Sequence, residues 1–103
     1  MQLINHENIL KIIKYKKISL KNINKKIAIK LYFFMLKLRL CEEALSAEYH
    51  PADEIRCPVH FCEGQEAVPA ALNSLLENKD YLFSHHRSHG YYLAKNAPMK
   101  KLF

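Results

Sequence analysis

The amino-acid sequence predicts a small, mostly helical domain of the α/β class with one short strand. The chain has 103 residues, enough for one small domain that buries about two-thirds of its unfolded surface. Apolar residues recur at three- and four-residue steps over long stretches, and only one short segment is strand-like. We therefore expect three packed helices, with the strand between the second and the third.

The first predicted helix extends from Ile27 to about Tyr49, a stretch without Gly or Pro. Its regularly spaced apolar residues form one face of an amphipathic helix. They are Leu31, Phe34, Leu38, Cys41 and Leu45. His50 and Pro51 end this helix, because the residue before a proline is disfavoured in the α region. Residues 5–24 have a looser helical pattern among lysines.

The second helix is predicted to begin near Glu66, because Pro69 lacks an N–H and is tolerated only in the first turn of a helix. Residues 78–80 form a turn. The segment Tyr81–Ser84 that follows is short and aromatic, which is typical of a strand.

The third helix is predicted to follow Gly90 and to end at Asn96, a residue type that tolerates the left-handed conformation found after helices. Pro98 then begins a further helix, because its fixed φ suits a first helical position.

Charge divides the chain into a basic leader and a more acidic remainder. Residues 1–40 contain ten Lys or Arg residues and one acid, whereas residues 41–103 contain six and nine. A basic leader is typical of nucleic-acid or membrane binding. This one has no Arg before Arg39 and few aromatic residues, so we expect residues 1–28 to be a solvated extension of a domain over residues 29–103.

Membrane insertion and export are not expected. The most apolar stretch, Ile27–Leu40, contains three charged residues and is shorter than the roughly 20 residues that span a bilayer. No small-residue cleavage site indicates a secretory signal. Three cysteines are an odd count without an export signal, so we expect reduced thiols in a cytoplasmic protein.

The residues most suited to chemistry lie in two short segments, 60–67 and 86–90. Together they contain both glycines of the chain, Gly64 and Gly90, where backbone can approach a ligand closely. Arg87 is the strongest candidate, because a guanidinium donates paired hydrogen bonds to phosphate oxygens and keeps its charge. His60 lies in a Pro-Val-His-Phe segment that we expect to be buried extended chain.

An alternative of another class is a small zinc module that binds nucleic acid. Its ligands would be Cys57, Cys62, His86 and His89, two cysteines and two histidines. Their spacing disfavours it. His-x2-His is tighter than usual, and a predicted helix lies between the two pairs.

Three segments in register resemble one enzyme family. They read LYFFMLKLRLCEEAL, PVHFCEGQEA and DYLFSHHRSHGYYLAK. Together they are similar to the amino-terminal part of the alpha subunit of the first, decarboxylating component of thiamine-diphosphate-dependent 2-oxo acid dehydrogenases, including pyruvate, branched-chain and acetoin enzymes. The resemblance covers about residues 29–103. It implies the amino-terminal part of a thiamine-diphosphate-binding fold, in a truncated chain.

The resemblance also implies roles for single residues. His60 would face the reacting carbon as the catalytic residue, and His86 and Arg87 would bind the diphosphate of the cofactor. The remaining motif residues would shape the site, and they are Gly64, Gln65, Glu66, His89 and Gly90. Glu66 would also place a carboxylate at the start of the second helix, where it caps free N–H groups.

Cofactors and partners follow from the same resemblance. The cofactors would be thiamine diphosphate and magnesium, with the magnesium ligands beyond residue 103, so that the chain alone is expected to be inactive. The partners would be a beta subunit in a heterotetramer, a lipoyl-bearing acyltransferase, and a small 2-oxo acid or acetoin. The reaction would be oxidative decarboxylation with acyl transfer to lipoyl, without nucleic acid or membrane.

Overall fold

The computed structural model describes residues 21–49 and 57–103. In these two ranges, three α-helices follow one another and a short 3-10 helix comes last. Their bounds are Lys25–Tyr49 (α1), Ala67–Leu75 (α2), His89–Ala94 (α3) and Met99–Leu102 (the 3-10 helix). The mostly helical prediction is confirmed. The predictions for residues 5–20 and for the proline stop at residue 51 lie outside the described residues.

Helix α1 provides one wall of the hydrophobic core. It begins after Asn24, whose side-chain Oδ1 accepts a hydrogen bond from the Lys26 N–H at 2.9 Å, the usual N-cap contact. Four of its predicted apolar residues are buried and Leu31 packs against them; the buried four are Phe34, Leu38, Cys41 and Leu45. The predicted buried face is confirmed. The helix begins before the predicted domain boundary at residue 29.

Helices α2 and α3 pack across this face, and Gly90 lies where they meet. A Cβ atom at Gly90 would lie 2.7 Å from Pro69 Cγ and 3.3 Å from Leu38 Cδ2, so a side chain here would force the Pro69 ring to shift. The expectation that Gly90 lets backbone approach a ligand closely stays a prediction. The missing side chain lets α3 approach α2 and α1.

The segment Tyr81–Ser84 is irregular, and the described part of the chain contains no β-strand. The predicted strand is not observed because a strand needs a neighbouring chain segment to accept and donate its backbone hydrogen bonds, and none lies beside it in the described ranges. Tyr81 and Phe83 are 90% and 91% exposed, whereas Leu82 packs against the core.

The end of the chain follows the predicted order. Asn96 has a φ of 57°, the left-handed conformation predicted for the residue that terminates α3. Pro98 directly precedes the 3-10 helix. Within the described residues, no helix combines the length and the apolar character required to cross a bilayer.

Candidate functional site

Residues 61–66, called here the turn loop, connect the chain before α2 to the start of that helix. The Gln65 N–H donates to the Cys62 carbonyl at 2.8 Å, which closes a four-residue turn. Gly64 has a φ of +82°, a conformation that residues with a Cβ adopt at a cost. The predicted role of Gly64 in a tight turn is confirmed. Gln65 contributes its backbone to this turn, and its side chain is exposed.

Glu42 is a fully buried carboxylate that joins α1 to the turn loop and to α3. Its Oε2 accepts a hydrogen bond from the Cys62 N–H at 2.8 Å. Its Oε1 lies 2.8 Å from His89 Nδ1. A buried carboxylate is costly unless its oxygens are hydrogen-bonded, and both oxygens of Glu42 are.

Glu66 is a second buried carboxylate, 6% exposed, at the other end of the turn loop. Its Oε1 accepts hydrogen bonds from Arg39 Nε at 2.6 Å and from the Gly64 N–H at 2.9 Å. Burial raises the pKa of Glu66, but the bonds from Arg39 and Gly64 outweigh burial and leave that pKa below its ordinary value. The side chain makes no capping hydrogen bond to α2, so the predicted capping role is wrong, and Oε1 binds Arg39 and Gly64 instead.

Arg87 reaches the turn loop from the other side. Its Nη1 donates to the Phe61 carbonyl at 2.6 Å, and its own carbonyl accepts the Cys62 thiol at 3.4 Å. Among the described residues, no carboxylate pairs with the guanidinium and no further acceptor bonds it. The remaining guanidinium N–H donors are therefore available to a ligand.

A cleft of about 280 Å³ lies between Arg87 and the start of α2. The turn loop, α2 and α3 all contribute to its wall, which is formed by Cys62, Gly64, Gln65, Ala67, Val68, Pro69, Arg87 and Tyr91. One cation on a largely apolar wall is an arrangement that suits an anionic ligand with an apolar part.

His60, His85 and His86 form a separate group of neighbouring rings, and none of them lines this cleft. The ring centroids of His60 and His86 are 4.7 Å apart, and those of His85 and His86 are 5.1 Å apart. His60 is exposed, so its predicted burial is wrong. The reason is that side chains alternate along extended chain, and the two neighbours of His60, Val59 and Phe61, are the half-buried ones. Partial desolvation and the neighbouring charges of His60, His85 and Arg87 lower the pKa of His86.

The sequence matches the family model for the dehydrogenase E1 component over residues 34–103, which include the turn loop, Arg87 and the histidine group. The chain belongs to the dehydrogenase E1 component family. The resemblance to the alpha-type first component of 2-oxo acid dehydrogenases is thereby confirmed. No curated protein and no solved structure matches the chain.

The positions of the four proposed zinc ligands do not support a zinc module. Within the described part of the chain, no three His, Cys, Asp or Glu side chains converge as metal ligands, and all four proposed ligands are described. Two of them are engaged elsewhere: Cys62 donates its thiol to the Arg87 carbonyl, and His89 pairs with Glu42. Burial also raises the pKa of the Cys62 thiol, which disfavours the thiolate that zinc requires.

Two residues of this candidate site were missed from the sequence, Arg39 and Glu42. Both lie in α1, far from the glycine and histidine motifs. A signal for Glu42 was present: it lies four residues after Leu38 and three before Leu45, so helical spacing places it on the buried face. A buried carboxylate is expected to have hydrogen-bond partners. On that basis, contacts between Glu42 and the motif residues could have been predicted.

Proposed function

We propose that this chain forms part of the thiamine-diphosphate site of a 2-oxo acid or acetoin dehydrogenase, with Arg87 holding the diphosphate. The observation that carries the proposal is the Arg87 guanidinium in the wall of the cleft, bound through one donor to Phe61 and unpaired with any carboxylate of the described residues. Arginine donors form strong charge-assisted hydrogen bonds with phosphate oxygens.

The residues present fit such a cofactor. The cleft offers one cation and the positive-φ backbone of Gly64, where a ligand can approach without meeting a side chain. The apolar part of the same wall, including Val68 and Pro69, suits an organic ring system. Thiamine diphosphate, when bound, supplies the nucleophilic carbon that cleaves 2-oxo acids, while the protein supplies binding and orientation.

The two neighbouring histidines take the polar roles beside Arg87. His86 adds a ring N–H donor to the diphosphate. His60, in ring contact with His86, is the residue we propose to donate a hydrogen bond to the substrate, where charge develops during the reaction. Gln65, His89 and Gly90 shape the site.

The same proposal includes the partners of the component. A beta subunit completes the site in a heterotetramer, a lipoyl-bearing acyltransferase accepts the acyl group, and the substrate is a small 2-oxo acid or acetoin. Magnesium joins the diphosphate through ligands outside the described residues. We place this complex in the cytoplasm.

The test compares Arg87 with His60 in the component assembled from the whole alpha-type subunit that contains this chain and its beta partner. Arg87→Ala should weaken cofactor binding by about 1.5–3 kcal/mol, because the contact to a non-reacting group is made equally in ground and transition states. Calorimetric titration with thiamine diphosphate at saturating magnesium measures it. Arg87→Lys should recover little, because an ammonium cannot replace the guanidinium fork.

His60→Ala should instead lower turnover at saturating cofactor by about tenfold or more. Lys101→Ala is the control, because it removes a charge from an exposed residue of the 3-10 helix and should change neither quantity. If both site variants bind cofactor and turn over like this control, neither residue faces the cofactor and the proposal fails.

A further inference from the structure

We infer that Glu42 is a positioning residue for Arg87, and that it acts through the peptide unit between Phe61 and Cys62 and through His89. This inference rests on the proposed role of Arg87 in binding the diphosphate. Glu42 is fully buried and does not line the cleft. Its effect on the cofactor must therefore pass through the residues that it holds.

The peptide unit is bonded on both sides. Its N–H, from Cys62, donates to Glu42 Oε2 at 2.8 Å. Its C=O, from Phe61, accepts from Arg87 Nη1 at 2.6 Å. A peptide unit is planar and rigid, so the buried carboxylate fixes the direction of the carbonyl that orients the guanidinium. A carboxylate at the N–H end also polarises the unit, which strengthens acceptance at the C=O end.

A second connection runs from the same carboxylate to the backbone that carries Arg87. Glu42 Oε1 lies 2.8 Å from His89 Nδ1, two residues after Arg87. The Cys62 thiol also donates to the Arg87 carbonyl at 3.4 Å. The carboxylate thus holds the chain that carries Arg87 and the peptide that receives its side chain. Displacement of either would change where the free guanidinium donors point.

Glu42→Gln tests this arrangement with little change of volume. The two contacts reach different oxygens of the carboxylate, and in Gln one of these oxygens becomes an N–H donor group, so Gln cannot accept from both Cys62 and His89. We expect cofactor affinity to fall about threefold to tenfold, with turnover at saturating cofactor unchanged. Glu43→Gln is the matched control, because Glu43 is the next residue, is exposed, and meets Arg39 only at 4.0 Å. It should bind cofactor like the wild type.

The deciding measurement is a double-mutant cycle on the assembled component, with thiamine diphosphate and magnesium titrated into the wild type, Glu42→Gln, Arg87→Ala and the double variant. If Glu42 acts through Arg87, the Glu42→Gln loss disappears in the Arg87→Ala background. An equal loss in both backgrounds, or a Glu42→Gln affinity equal to that of Glu43→Gln, overturns the positioning role and leaves the proposed function standing.

A different result separates the two proposals. If Arg87→Ala binds cofactor as tightly as the wild type, the proposed function fails, and the positioning role fails with it. Should Glu42→Gln not give a folded component, Glu42→Asp serves the same cycle, because its shorter side chain keeps the charge but cannot reach both partners. Thermal unfolding of each variant shows which samples are folded.

Discussion

The two loops that precede α2 and α3 are built in different ways. The turn loop, residues 61–66, is fastened by two buried carboxylates, each of which accepts one of its backbone N–H groups. The aromatic loop, defined here as residues 81–86, exposes Tyr81, Phe83, His85 and His86 to solvent. The turn loop is held by buried carboxylates, whereas the aromatic loop exposes its rings.

The difference shows where this small domain uses its polar interactions. Burying an ionised carboxylate is costly unless it is hydrogen-bonded. The conformation of the turn loop therefore depends on the hydrogen bonds of its two buried carboxylates. Exposed aromatic rings contribute little to the stability of the chain that carries them. We therefore expect substitutions in the turn loop to change stability strongly and substitutions in the aromatic loop to change it weakly.

Within the two loops, the largest effect is expected for Glu66→Gln. The change removes the charge that receives the Arg39 and Gly64 donors, and hydrogen bonds to a charged group contribute about 1.5–3 kcal/mol each. We expect the free energy of unfolding to fall by about 1.5–3 kcal/mol in total, as measured by urea titrations of the chain. Glu63→Gln, an exposed acid in the same loop, should change it by less than about 0.5 kcal/mol. Equal losses for the two variants would contradict the special role of Glu66.

Acidification sharpens the same test. The pKa of Glu66 lies below its ordinary value of 4.5 in the folded chain, so its contribution to stability is complete above that value and disappears as the pH falls through the folded pKa. The difference between the wild type and Glu66→Gln should therefore shrink in unfolding curves recorded below pH 4.5. A difference that stays constant down to strongly acidic pH would show that the charge of Glu66 is not what stabilises the turn.

A smaller loss is expected for Gly64→Ala. A Cβ at this position would meet no atom within 4 Å, so the cost comes from the backbone alone, at a φ of +82°. Left-handed backbone costs an L-residue about 1–2 kcal/mol. Gly64→Asn should lose less in the same unfolding experiment, because asparagine tolerates this region. If Asn is as damaging as Ala, backbone conformation is not the cause.

The smallest effect is expected in the aromatic loop. Phe83 is 91% exposed, so Phe83→Ala should change the free energy of unfolding by less than about 0.5 kcal/mol. Phe34→Ala provides the contrast, because Phe34 is 5% exposed in the core and a buried Phe→Ala change costs about 3–5 kcal/mol. A loss above about 1 kcal/mol for Phe83→Ala would remove the distinction between the two loops.

The sequence predicts the features that depend on neighbouring residues. The buried face of α1 follows from its periodicity, the start of α2 from the position of Pro69, and the end of α3 from the conformational tolerance of Asn96. Each of these depends on a few consecutive residues. They are the parts of the fold that the structure confirms.

The features that were wrong or missed depend on distant residues. The bonds of Glu42 join it to residues 20 and 47 positions away, and those of Arg39 reach 27 positions. The segment 81–84 has a strand-like composition, but strand formation depends on a neighbouring segment that its own residues do not specify. The close contact of Gly90 with Pro69 was likewise missed, because it depends on the packing of three helices.

The three thiols differ in accessibility, so their reaction with a thiol reagent can report on local opening of the structure. Cys57 is exposed, whereas Cys41 and Cys62 are buried, and burial raises the pKa of both buried thiols. A thiol reagent at neutral pH should therefore modify Cys57 first. Because the Cys62 thiol is bonded to the Arg87 carbonyl, its alkylation requires that contact to open. The rate of Cys62 labelling would then measure how often the turn loop separates from the residues around Arg87.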